Sequence, residues 1–104
     1  MTQETWSSLS IFEQLSNIHG EIKRYIRAKN KVSPYADDYY NKVKSLIEMT
    51  TADPKNINRT KEILDEAGEL ARFRNGEVDA DYILRYWSPY TDALTQELTN
   101  RDAL

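Results

Sequence analysis

The residues best suited to catalysis or metal binding are carboxylates between positions 60 and 70. Glu62, Glu66 and Glu69 follow one another at steps of four and three residues, and Asp65 lies among them. Side chains at this spacing share one face of a helix. Carboxylate oxygens are the ligands that Mg²⁺ prefers, and the bound ion keeps several waters. The spacing is therefore compatible with a magnesium site, although a solvated acidic face explains it equally well.

Glu62, Glu66 and Glu69 resemble one half of a known metal-binding arrangement. All-helical nucleotide pyrophosphohydrolases of the MazG type carry E-x-x-E on one helix and E-x-x-D on the next. The later residues Asp79 and Asp81 do not form E-x-x-D in this sequence. The resemblance implies a Mg²⁺-dependent nucleotide pyrophosphohydrolase, which we keep as the alternative function. The main prediction has no metal site, no cofactor and no catalytic residue.

Other catalytic classes lack their characteristic residues. The chain has no cysteine, which excludes disulfide scaffolds, thiolate metal sites and cysteine nucleophiles. His19 is the only histidine, and no metal-ligand partner stands near it in sequence, so we predict a structural role. Neither a phosphate-binding glycine loop nor a G-x-S-x-G elbow occurs. Because no leader or long apolar run is visible either, we expect a cytoplasmic protein without a membrane partner.

The tyrosines carry more information about function. Tyr82, Tyr86 and Tyr90 recur every four residues and form a ridge about 12 Å long on one helix. A tyrosine has an apolar body and a polar tip, which suits a half-exposed surface, and Tyr and Arg are enriched in binding hot spots. The predicted partner-binding residues are Tyr35, Tyr39, Tyr82, Arg85, Tyr86 and Tyr90. The alternative is that these rings fill the core of a small protein.

Basic residues cluster near the end of the first predicted helix. They are Lys23, Arg24, Arg27, Lys29 and Lys31. Such a cluster is typical of a phosphate or nucleic-acid patch, or of cations placed against the negative end of a helix dipole. We favour the dipole, because no glycine-rich turn accompanies the cluster. The net charge of −3 also argues against non-specific nucleic-acid binding, so we predict no nucleic-acid partner.

Four segments with apolar residues at steps of three and four must position these side chains. We predict helices over approximately residues 10–29, 34–50, 54–75 and 79–99, and the third may begin only at Asn56 or Asn58. The predicted N-caps are Ser10, Ser33, Asp53 and Asp79. Asn75-Gly76 is predicted to end the third helix in a left-handed turn. The short connections favour antiparallel neighbours, and 104 residues suffice for one domain, so we predict an all-α, single compact up-and-down four-helix bundle.

The apolar stripes of the four segments are predicted to meet in one core. Its predicted members are Phe12, Leu15, Ile18, Ile22, Val43, Leu46, Ile63, Leu70, Ile83, Trp87 and Leu94. Pro89 interrupts the last segment because it removes a backbone donor. Two outcomes are open: the last helix is kinked near Arg85, or it is broken and begins again with Ser88 as a cap.

Two stretches are similar to a family of short, uncharacterised prokaryotic helical proteins. The first is S-I-F-E-Q-L-S-N-I at residues 10–18, continuing to Glu21-Ile22. The second is T-T-A-D-P-K-N at residues 50–56, with Arg59 following. From the first residue to the last, the range 10–59 that contains both stretches is about half of the chain. The resemblance implies a small helical fold and no activity.

The main functional prediction is a small helical protein-interaction module. The tyrosine-rich face would bind a protein partner or a second copy of the chain. An adaptor, an immunity protein and an inhibitor of a larger enzyme are the classes that fit this description.

Overall fold

The computed structural model describes residues 1–89, which are helical and contain no strand. The elements are α1 (Gln3–Ser7), α2 (Ile11–Asn30), α3 (Ala36–Thr51), a 3₁₀ helix (Pro54–Arg59) and α4 (Thr60–Arg74). A further helix, α5, begins at residue 80 and is helical to residue 89. The predicted all-α bundle is thereby confirmed. The part of the predicted last helix from residue 90 to 99 lies outside the described residues.

The four longer helices run alternately up and down. Contacts of the Tyr25 ring with Tyr40, whose centroids are 5.4 Å apart, and of Glu21 with Lys42 show that α2 and α3 are antiparallel. The carboxylate of Asp37, at the start of α3, lies 3.5 Å from the guanidinium of Arg74 at the end of α4. The helix α3 is therefore also antiparallel to α4. These pairings follow from the short connections, which return each helix along the one before it.

Most of the predicted core residues are buried. Leu15, Ile18, Ile22, Val43, Leu46, Ile63, Leu70, Ile83 and Trp87 form one cluster with Trp6, Tyr25, Ile26, Tyr40, Ile47 and Phe73. The prediction for Phe12 was wrong, because its ring is only half-buried and lies beside the guanidinium of Arg59, 5.6 Å from the ring centroid. Leu94 lies outside the described residues.

Three of the four predicted N-caps are confirmed. The hydroxyl of Ser10 accepts the N–H of Glu13 at 3.1 Å, and the carboxylate of Asp79 accepts the N–H of Tyr82 at 2.8 Å. Asp53 accepts the N–H of Lys55 at 3.1 Å and caps the 3₁₀ helix. These side chains satisfy N–H groups that have no partner within the helix.

The predicted end of α4 is confirmed as well. Gly76 has φ +78°, a left-handed conformation that glycine adopts without steric cost. The N–H of Gly76 bonds the carbonyl of Phe73, and the N–H of Glu77 bonds that of Arg72. This pair of bonds is the Schellman arrangement, which satisfies the last carbonyls of a helix.

Two predicted helix starts were wrong. The helix α3 begins at Ala36 rather than at residue 34, because Ser33 belongs to the turn that ends α2: its N–H bonds the carbonyl of Ala28 at 2.9 Å. Its hydroxyl accepts the N–H of Tyr35 and does not cap α3. The helix predicted from residue 54 divides into the 3₁₀ helix and α4, which starts at Thr60.

The backbone of α5 is helical up to Pro89, so no break precedes the proline. Pro89 has no N–H to offer the carbonyl of Arg85, and the hydroxyl of Ser88 donates to that oxygen at 3.0 Å instead. The alternative in which Ser88 caps a new helix was wrong, because Ser88 lies within α5. The kink near Arg85 stays a prediction, and the chain beyond Pro89 lies outside the described residues. Within residues 1–89, no helix combines the length and apolar character needed to cross a membrane.

Candidate interaction surfaces

Tyr82 and Tyr86 form a stacked pair on α5. Their ring centroids are 6.2 Å apart, with an interplanar angle of 30°. The four-residue spacing places the rings one helical turn apart, and the Asp79 cap fixes where that turn begins. Both side chains are half-buried and pack against the edge of the core. The two rings therefore lie at the edge of the core, with part of each side chain exposed.

The pair faces α4. The guanidinium of Arg72 lies 5.8 Å from the centroid of the Tyr82 ring, a cation–π distance. The Glu69 carboxylate holds this guanidinium from its other side at 3.0 Å. Burial, together with the negative charges of Glu66 and Glu69, raises the pKa of the Tyr86 phenol. The Tyr86 phenol is therefore a neutral hydrogen-bonding group at physiological pH. We call Arg72, Tyr82 and Tyr86 the aromatic surface.

Arg85 is not part of the aromatic surface. Arg85 lies on another side of α5, where its Nε–H donates to the carbonyl of Asp81 at 3.3 Å. There it lines a surface hollow with Leu84 and Ser88. Tyr90 lies outside the described residues.

Tyr35 and Tyr39 occupy a different part of the bundle. They line a hollow of about 300 Å³ between α2 and α3, together with Arg24, Arg27 and Lys31. Tyr35 is 65% exposed, whereas Tyr39 is half-buried against the core. The structure thus divides the predicted tyrosine face between two helix pairs: α2 with α3, and α4 with α5.

The carboxylates of α4 have different surroundings. Glu66 is fully buried at 0% exposure, Glu62 is exposed, and Glu69 is bound to Arg72. Asp65 forms an exposed pair with Lys61. Among residues 1–89, no three histidine, aspartate or glutamate side chains come together in a way that could hold a metal ion.

His19 lies in the interior between α2 and α5. Its ring stacks on Trp87, with centroids 6.5 Å apart and an interplanar angle of 10°. Burial lowers the pKa of the imidazole, and the nearby charge of Lys23 lowers it further. A neutral, stacked imidazole agrees with the structural role predicted from the sequence.

Sequence reasoning missed a buried polar network around α1. The Trp6 indole N–H donates to the Thr50 hydroxyl at 2.9 Å. The Gln14 amide donates to the carbonyl of Trp6 and to the carboxylate of Asp53, both at 2.9 Å, and accepts from the amide of Asn56 at the same distance. All five side chains are at most 4% exposed.

This network joins the two stretches on which the family resemblance rests. Gln14 belongs to the S-I-F-E-Q-L-S-N-I stretch, and Asp53 and Asn56 belong to the D-P-K-N turn. Lys55 adds a bond from its ammonium to the carbonyl of Ser7 at 3.1 Å and pairs with Asp53. A buried amide and a buried carboxylate at these positions therefore have a structural explanation, which is to hold α1 against the rest of the bundle.

Comparisons with known proteins give no family for this chain. No protein-family model matches it, and neither a curated protein nor a solved structure shows significant similarity to it.

Proposed function

We propose that this chain is a small protein-interaction module that binds through the aromatic surface of α4 and α5. The observation that carries the proposal is the stacked, half-exposed pair Tyr82–Tyr86 beside the Arg72 guanidinium. Rigid tyrosines contribute large contact area at low entropic cost, and Tyr and Arg dominate binding hot spots. The absence of cysteine fits a reducing compartment, so we place this module in the cytoplasm.

The simplest partner is a second copy of the chain. Two copies related by a twofold axis would bring the same aromatic surface together from both sides. Arg72 of each copy could then lie over the face of a tyrosine ring of the other. An adaptor, immunity protein or inhibitor would use the same surface on a different protein.

The test is to measure self-association by analytical ultracentrifugation over a wide concentration range. Tyr86→Ala is expected to weaken association by about 2 kcal/mol or more if Tyr86 is a hot spot. It should destabilise the fold less than Leu46→Ala, for which a buried leucine predicts a loss of about 2–5 kcal/mol. Ile57→Ala is the control, because Ile57 is exposed and lies outside both the aromatic surface and the hollow lined by Tyr35.

Equal association of wild type and Tyr86→Ala contradicts the proposal. So does a Tyr86→Ala variant as destabilised as Leu46→Ala, since Tyr86 would then be a core residue. If the wild type stays monomeric at every concentration, the self-association version is wrong. A photo-crosslinking residue at Tyr82 then identifies a different partner in extracts of the native host, with the same residue at the exposed Ile57 as the control.

A further inference from the structure

The basic residues of α2 divide into those with structural partners and those without. The ammonium of Lys29 donates to the carbonyls of Phe73 and Arg74, each at 2.9 Å, and so caps α4 rather than its own helix. Arg24 pairs with Glu21 at 2.7 Å. Stabilisation of helix ends therefore explains only part of the cluster.

Lys23, Arg27 and Lys31 remain, and of these Arg27 and Lys31 line one hollow. Both are exposed, and neither forms an ion pair with any residue in the described part of the chain. They lie one helical turn apart on the same side of α2, and Arg24 precedes Arg27 on that side. Two cations that lie close together without counter-charges attract an anionic group, which can bind between them.

The turn after α2 forms one side of a hollow next to these cations. Val32 takes a left-handed conformation with φ +51°, and the N–H of the next residue, Ser33, returns to the carbonyl of Ala28. This turn places Tyr35 and Tyr39 beside an open surface hollow of about 300 Å³ that Arg27 also lines. We call this hollow, lined by Arg24, Arg27, Lys31, Tyr35 and Tyr39, the basic hollow.

We propose that the basic hollow binds a short acidic segment of a partner protein. Its cationic groups and phenol hydroxyls offer mainly hydrogen-bond donors, and a guanidinium fork matches a carboxylate in shape. The two tyrosine rings supply apolar contact for the backbone and side-chain stems between the carboxylates. This site is separate from the aromatic surface, and it does not depend on the function proposed for that surface.

The charges around the hollow favour a short peptide over a nucleic acid. Asp37 and Asp38 directly precede Tyr39 on α3, and both are exposed. The chain as a whole carries −3. These carboxylates and the net negative charge repel a long polyanion more strongly than a segment with only two or three acidic residues. Non-specific nucleic-acid binding needs a wider basic footprint.

The experiment is a titration of ¹⁵N-labelled protein with a synthetic peptide of alternating glutamate and alanine, followed by amide chemical shifts. We expect shifts that saturate and are concentrated in residues 24–39. The double variant Arg27→Glu, Lys31→Glu should weaken binding about tenfold or more, because two attractive charges become repulsive. Lys61→Glu with Asn58→Glu is the control: both residues are exposed, and Lys61 lies on α4.

The control peptide, the oligonucleotide and the variants show which kind of ligand the basic hollow binds. A glutamine–alanine peptide of the same length should not bind, and Tyr86→Ala should leave binding of the acidic peptide unchanged. The proposal is overturned if the acidic peptide gives no saturating shifts, or if the control variant weakens binding as much as the double variant does. It is also overturned if single-stranded oligothymidine binds the hollow more tightly than the peptide, since the site would then recognise nucleic acid.

Discussion

Replacing Gln14 by leucine tests whether the buried polar network holds α1 in place. The side chain of Gln14 is fully buried at 0% exposure. It makes three hydrogen bonds of 2.9 Å, with the Trp6 carbonyl, the Asp53 carboxylate and the Asn56 amide. Leucine fills a similar volume, so the substitution removes hydrogen bonds and leaves little cavity. Any loss of stability therefore comes mainly from the polar groups of Trp6, Asp53 and Asn56, each of which loses a hydrogen bond.

The magnitude follows from the three partners. A hydrogen bond to a charged group contributes about 1.5–3 kcal/mol and a neutral one about 0.5–1.5 kcal/mol, and a buried group without a partner keeps its desolvation cost. Asp53 still has its ion pair with Lys55, and Asn56 still donates to the Thr50 carbonyl at 2.9 Å. We therefore expect Gln14→Leu to lower the free energy of unfolding by about 3–5 kcal/mol.

Urea unfolding followed by circular dichroism measures this loss. For a domain of this size the free energy falls by about 1.5 kcal/mol per M urea, so the midpoint should drop by about 2–3 M. Asn17→Leu is the matched control: Asn17 is an exposed amide on the same helix, and its replacement should change stability by less than about 0.5 kcal/mol. A loss below about 1 kcal/mol for Gln14→Leu would refute the stabilising role of the network.

Gln14→Leu should also change how the free energy of unfolding depends on pH in the acidic range. Burial by itself raises the pKa of Asp53, but hydrogen bonds from Lys55 and Gln14 and the Lys55 charge outweigh it, so the pKa in the folded protein is lowered. A lowered carboxyl pKa contributes stability above the unfolded value of about 3.9, and this contribution is lost as pH falls through the folded pKa. Without the hydrogen bond from Gln14, the pKa of Asp53 in the folded protein is lowered less. Gln14→Leu should therefore lose less stability than the wild type between neutral and acidic pH.

Other features give further expectations. Val32 is 88% exposed at φ +51°, so Val32→Gly should raise stability by about 0.5–1 kcal/mol in urea unfolding, and a loss would mean that the conformation carries no strain. Lys29→Met should cost about 1–2 kcal/mol because α4 loses its cap, whereas Lys31→Met should cost almost nothing in the same assay. The lowered pKa of His19 means that protonation favours unfolding, so stability should fall as pH drops below about 6.5. His19→Phe keeps a ring against Trp87 and should flatten that dependence in thermal melts. Mg²⁺ with a nucleoside triphosphate should leave the melting temperature unchanged, and a rise of several degrees would favour the pyrophosphohydrolase alternative.

The parts of the fold that sequence reasoning predicted depend on local signals. Ser10 and Asp79 cap their helices because the bond that each makes closes within three residues. Gly76 ends α4 because its left-handed conformation is a property of the residue itself. Ser33 carries the same local signal as Ser10. Its N–H is nevertheless taken by Ala28, so the end of α2 decides where α3 begins.

The part that was missed depends on contacts between distant residues. The helix α1 has only five residues, too few to show a helical periodicity. Its position is set by bonds to residues more than forty positions away, from Gln3 to the Met49 carbonyl and from Trp6 to Thr50. Neither bond has a signature in the local sequence. The buried Trp6 could therefore be placed only once the packing of α2 and α3 was known.

The two proposed binding surfaces fall between these cases. Arg72 meets Tyr82 across the turn at Gly76, and Arg27 meets Tyr39 across the turn at Val32. In both places a short turn returns the next helix along its predecessor, so residues about ten positions apart come together. The types of these side chains were readable from the sequence, but their grouping depended on which helix each face meets. That pairing separates the tyrosines into two surfaces with different neighbours, one beside the acidic face of α4 and one beside cations. The two surfaces should therefore select partners of different charge.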